Sequence, residues 1–102
     1  MTNLTYRVYA APAASVGSEM PRLAAVLGTG EPHESFFMGG DYYLWHVPGG
    51  EVRLLPNRQG PDDDEWFDAD HPEVSVVIEV SVRGIADPIE PLTTSHGYSR
   101  LT

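Results

Sequence analysis

The chain has no cysteine. That absence removes a disulfide-stapled scaffold, a thiolate nucleophile and a cysteine-ligated zinc site together. Positive charge is scarce as well, with 6 basic residues against 15 acidic ones and a formal net charge of −9. Nucleic acid is bound chiefly by Lys and Arg that release counterions from phosphate, and anionic membrane surfaces attract the same side chains. A chain of this charge is expected to repel both. No apolar run approaches the roughly 20 residues needed to cross a bilayer, and Met1 to Ala14 lacks the apolar stretch of a secretory signal. A cytoplasmic location is therefore the expectation.

What is present fits one domain. A length of 102 residues with 41% apolar and 21% charged residues is enough to bury a core without staples or metal. Nine prolines and ten glycines make the chain loop-rich. The reading divides it into a folded core over about 3–84 and a Pro-containing tail over 85–102.

Leu4-Thr5-Tyr6-Arg7-Val8-Tyr9-Ala10 alternates with period two and predicts a strand, with Leu4, Tyr6, Val8 and Ala10 on its inner face. Met20, Leu23, Ala24 and Leu27 recur at helical spacing, which predicts a short helix. Ser18 reads as its N-cap, Glu19 as a first-turn acid favoured by the helix dipole, and Gly28 as its stop. Pro21 is then accommodated in the first turn. Glu34–Met38, Tyr42–Val47 and Glu51–Leu55 predict further strands, the last two joined by a hairpin turn at Pro48-Gly49-Gly50. Val74–Arg83 is the clearest strand, with Val74, Val76, Ile78, Val80 and Val82 on one face. The fold class is α+β: one antiparallel sheet of four to five strands in the order β-α-β-β-β-β, with one helix on one face. Pro88 and Pro91 argue against a helix or a central strand in the tail. Ile85, Ile89, Leu92, Tyr98 and Leu101 are candidates to dock it.

The segment from Pro56 to Glu73 has no clear periodicity and holds seven acids, Asp62, Asp63, Asp64, Glu65, Asp68, Asp70 and Glu73, with Trp66 and Phe67 among them. Connections this long are uncommon in compact domains unless they are functional or mobile. Read as a calcium loop from Asp62, the segment has Glu73 at the twelfth position, but Phe67 stands where the EF-hand requires glycine. Read as an interface, Trp66 and Phe67 are apolar anchors inside a rim of steering charge. The alternative is that both rings tuck onto the sheet and pin the loop.

The aromatic run Phe36, Phe37, Tyr42, Tyr43 and Trp45 reads either as core or as an exposed sheet face. In the second case Tyr43 and Trp45 would meet a small ligand or a second copy. His33, His46, His71 and His96 are scattered and lack metal-ligand spacing, although His46, His71 and Asp70 could converge on zinc in space. Ser95-His96 adjacency does not supply triad geometry, and the nucleophile-elbow motif is absent. No catalytic residue, metal or cofactor is expected.

The function expected is non-enzymatic protein binding. A basic partner would dock on Asp62, Asp63, Asp64, Glu65, Trp66, Phe67, Asp68 and Asp70, as in an inhibitor or immunity-type protein. A ligand-binding or homodimeric domain using the aromatic face is the second reading, and a metal-dependent enzyme the third.

Overall fold

A computed structural model of the chain describes residues 4–12, 15–28, 33–37, 40–57, 70–71 and 73–101, with 33–37, 40 and 41 described by their backbone alone. Its elements are β1 (Leu4–Ala11), α1 (Val16–Leu27), β2 (His33–Phe37), β3 (Gly40–Val47), β4 (Gly50–Pro56), β5 (Val76–Arg83), α2 (Leu92–Ser95) and β6 (Ser99–Arg100). The strands form one antiparallel sheet in the order β2-β3-β4-β5-β1-β6. The α+β class and the single antiparallel sheet are as the sequence predicts. The tail adds a sixth strand of two residues and a helix of four. Its prolines keep to permitted places, because Pro91 caps α2 from outside and β6 lies on the sheet edge.

Helix α1 starts three residues earlier than the spacing predicts. Ser15, extended at φ −147°, accepts the Ser18 N–H on Oγ at 3.2 Å, so Ser15 is the cap and Ser18 lies within the first turn. Pro21 consequently falls past the first turn, where it removes one helical hydrogen bond. The earlier start brings Val16 and Glu19 onto the buried face beside Leu23. The helix ends on Gly28, left-handed at φ 64°, whose N–H donates to the Ala24 carbonyl at 3.1 Å.

Cross-strand pairing fixes which residues share a face. Tyr9 stands opposite Ile78, Ile78 opposite Leu54, and Leu54 opposite Tyr43. The face carrying these residues also holds Val76, Val80, Val82, Val52, Ala11 and Trp45, and it is the core, with α1 lying across β3 and β4. Burying each of the β5 residues Val76, Ile78, Val80 and Val82 contributes on the order of 1.5–3 kcal/mol. The predicted inner face of β1 is therefore inverted. Thr5, Arg7, Tyr9 and Ala11 share the core side, while Leu4 and Tyr6 are about half exposed on the other. The reason lies far along the chain. Asp87, almost fully buried, accepts from the Tyr9 phenol on Oδ2 and from the Ile89 N–H on Oδ1 at 2.8 Å. The same Oδ2 meets Arg7 Nη1 at 3.4 Å, and Arg7 also reaches Glu90 at 2.6 Å. Two polar side chains thus become acceptable on the inner face.

The same contacts seat the tail. Ile89 and Tyr98 are buried, Leu92 packs beside them, and the Leu101 N–H donates to the Val8 carbonyl at 2.7 Å. Ile85 remains exposed. Arg22 links α1 to this segment, with Nη1 on Glu19 and Nη2 on the His96 carbonyl, each at 3.1 Å.

Candidate functional site

The acidic segment leaves the sheet after β4 and rejoins it before β5, and the structure shows how its two ends are tied. Asn57 is fully buried just past Pro56. Its Nδ2 donates to the carbonyls of His71 and Val74 at 2.9 Å each, and its backbone N–H donates to the Ser75 carbonyl at 3.0 Å. One amide side chain therefore holds the entry and exit of the segment together. The Val74 N–H, donating to the His71 carbonyl at 3.1 Å, closes a turn at the same place. Sequence reasoning begins the segment at Pro56 and assigns Asn57 no role within it. The one hint is an amide-bearing residue directly after a strand-ending proline.

Asp62, Asp63, Asp64, Glu65, Trp66, Phe67 and Asp68 lie outside the described residues. Asp70 is exposed in the turn at the segment's end, next to a partly buried His71.

Charge is distributed unevenly. Residues 58–73 carry seven of the 15 acids and one arginine, a net −6, and the rest of the chain carries −3. Five acids outside that segment are engaged by arginines: Glu19 with Arg22, Glu51 and Glu79 with Arg53, and Asp87 and Glu90 with Arg7. Such pairs add little stability where they are exposed, but they neutralise the field around the sheet. By formal charge, two thirds of the net −9 therefore falls on the segment that Asn57 ties down.

On the sheet face away from α1, Tyr6, Glu79, Arg53 and Glu51 form a continuous polar chain over β1, β5 and β4. The Tyr6 phenol donates to Glu79 Oε2 at 2.7 Å, and Arg53 donates to Glu79 at 3.1 Å and to Glu51 at 2.8 Å. Burial, and then the bond to Glu79, push the Tyr6 phenol up to about 12. Burial, and then the bond to Asp87, do the same for Tyr9. Tyr98 is raised by burial and by the Glu19 carboxylate facing it, although neither Tyr98 Oη nor Glu19 Oε1 makes a hydrogen bond of good geometry. Glu90, and then Tyr9, hold the Arg7 guanidinium more firmly protonated than usual.

The two residues proposed from the sequence as a ligand face do not form an open one. Trp45 is 1% exposed within the core, and Tyr43 is half-buried beside it with ring centroids 6.3 Å apart. Both lie on the face that α1 covers, so the core alternative holds for Tyr43 and Trp45, while the side chains of Phe36 and Phe37 lie outside those described. Among the described residues, no three of His, Asp and Glu come together in a way that could hold a metal ion. Ser95 Oγ lies 2.8 Å from His96 Nδ1, and the His96 ring stacks on Tyr98 at 5.8 Å. Glu19, linked to His96 through Arg22, is turned to Arg22 and Tyr98. Among the described residues, no helix is long and apolar enough to cross a membrane. Comparison with protein-family models, curated proteins and solved structures finds no match.

Proposed function

We propose that this chain is a non-enzymatic binding domain that docks a basic protein through the acidic segment between Asp62 and Asp70, in the manner of an inhibitor or immunity protein. The observation that carries the reading is the charge distribution. Arginines engage five acids on the scaffold, while residues 58–73 keep a net −6. A concentrated field of one sign raises association rates with an oppositely charged partner and falls away with salt. Tying both ends of the segment to a rigid sheet through Asn57 lowers the ordering cost of binding. Trp66 and Phe67 would be the desolvated anchors, and the charge would set rate and orientation. The lack of cysteine supports a cytoplasmic setting.

The test compares wild type with a variant carrying Asp62→Asn, Asp63→Asn, Asp64→Asn and Glu65→Gln as baits in lysate of the native host. Wild type should retain a basic protein at low salt and release it as salt rises. The neutralised variant should bind that protein with an on-rate lower by roughly 10- to 100-fold. Capture of no basic protein at low salt, or equal on-rates for the two baits, overturns the reading.

A further inference from the structure

We infer that the open edge of β1, from Leu4 to Arg7, is a strand-pairing surface for a second copy of this chain, β1 against β1 and antiparallel. Among the described residues, β6 pairs with Tyr9 and Ala10 of β1, and Leu101 just beyond it reaches Val8. The bond from the Leu101 N–H to the Val8 carbonyl, at 2.7 Å, shows that Val8 turns its carbonyl away from β5. Backbone groups two residues apart in a strand point the same way. The N–H and C=O groups of Tyr6 and Leu4 therefore also face outward, and among the described residues no strand pairs with them there. Their side chains are 51% and 50% exposed, the two highest values among the large hydrophobic residues described. Protective devices common on exposed edges, such as proline, lysine or a bulge, are missing from Leu4-Thr5-Tyr6-Arg7. Arg7 is engaged by Asp87 and Glu90 on the core side.

Charge selects the occupant. The acidic segment is tied at the Pro56–Val76 end of the sheet, beside Ala11, whereas Leu4 stands opposite Arg83 at the other end. Seven residues of strand separate the two ends, about 23 Å at 3.3 Å per residue, nearly three times the screening length of about 8 Å at physiological salt. A basic partner is drawn to the far end. A second copy pairing at Leu4 keeps the two ties, and the described acids Asp70 and Glu73 beside them, at opposite ends of the doubled sheet. Leu4 and Tyr6 each offer a donor and an acceptor, so the edge is complementary to itself. A contact of a few strand residues is small for a specific interface, so association is concentration-dependent, at about micromolar or weaker.

The inference does not rest on the proposed function, and salt separates the two. Screening the net −9 strengthens self-pairing while it weakens capture of a basic protein. The experiment is sedimentation equilibrium of the whole chain over a range of concentration and salt, with hydrogen exchange read at Leu4 and Tyr6. The expected mass rises from 11.2 kDa toward twice that value with concentration, more so at high salt, while both amides gain protection. Leu4→Lys should raise the dissociation constant by at least about tenfold with an unchanged circular dichroism spectrum. Tyr6→Lys is the second variant should Leu4→Lys unfold. A single 11.2 kDa species throughout overturns the inference. So does a dimer whose Leu4 and Tyr6 amides stay unprotected, or one that neither lysine weakens.

Discussion

Replacing Asn57 tests the tie at the base of the acidic segment, and two substitutions at that position should rank against intuition. Asn57→Ala removes both Nδ2 bonds, each 2.9 Å long, from a side chain that is fully buried. A net loss of about 1 kcal/mol per bond, plus the cost of leaving two carbonyls under-satisfied, gives a destabilisation of about 2–3 kcal/mol. For a domain of this length that is a fall in Tm of roughly 10–20 °C. Asn57→Asp preserves the shape but points a buried carboxylate, which has no donor, at the carbonyls of His71 and Val74. It should cost about 3–4 kcal/mol at neutral pH, more than alanine. The order should change with acid. Burial and the two carbonyls raise the folded-state pKa of the introduced carboxyl, so its protonated form is the stabilised one. Relative stability is then whole below the unfolded-state value and is lost as pH rises through the folded-state value. Urea unfolding of both variants at pH 7 and near pH 4 measures this. An Asn57→Asp protein as stable as Asn57→Ala at pH 7, or one that gains nothing on acidification, refutes the arrangement of donors and carbonyls described here.

Two further outcomes follow from the geometry. A Cβ on Gly50 would lie 1.9 Å from the Ser81 carbonyl oxygen and 2.8 Å from Val82 Cα, all backbone. Gly50→Ala should therefore lower stability by about 2–4 kcal/mol; a thermal melt indistinguishable from wild type would show that β4 and β5 do not approach so closely there. Tyr6 and Tyr9 ionise at about 12 when folded, against an ordinary value near 10, and Tyr98 is also raised. Their folded-state pKa values exceed the unfolded ones, so the stabilisation is intact below about pH 10 and is lost as pH rises through about 12. Absorbance at 295 nm should show a late fraction of phenol ionisation that coincides with loss of circular dichroism. Complete ionisation near pH 10 with the fold intact would contradict it.

Local pattern carries the fold wherever packing obeys it. The alternation of Val76, Ile78, Val80 and Val82 on β5, the hairpin at Pro48-Gly49 and the stop at Gly28 all follow from neighbours in sequence. The hairpin loop is one residue shorter than the Pro-Gly-Gly run implies, because Gly50 already pairs with Val47 and Val82. Val77 breaks the β5 alternation and is buried nonetheless, on the sheet face opposite the core. The face of β1 is not legible locally, since Leu4-Tyr6-Val8-Ala10 and Thr5-Arg7-Tyr9-Ala11 are similarly mixed. Asp87, distant in sequence, decides between them through Tyr9 and Arg7. Ser15 and Ser18 are equally good caps by type, and burial of Val16 and Glu19 goes with the earlier one. As for the candidate site, the concentration of acids is plain in the sequence. Asn57 has only its place after Pro56 as a hint. The pairs of Arg7 with Asp87 and Glu90 and of Arg53 with Glu79 have no local signature because the fold brings them together, whereas Arg22 with Glu19 and Arg53 with Glu51 join near neighbours in sequence.

The pairing of β1 with β5 bears on how the chain reaches its native state. Leu4 meets Arg83 and Ala11 meets Val76, so β1 leaves the ribosome long before its principal partner exists. The β3–β4 hairpin closes over two residues and can form at once. Contact order this high places refolding in the millisecond-to-second range rather than among fast helical folders. Until β5 arrives, β4 presents an unpaired edge and Tyr9 lacks both Ile78 and Asp87. The nascent chain is thus exposed to misassociation during synthesis, and the strand that completes the sheet directly follows the acidic segment. Repulsion between neighbouring copies of that segment would keep partly made chains apart at the stage when their edges are bare.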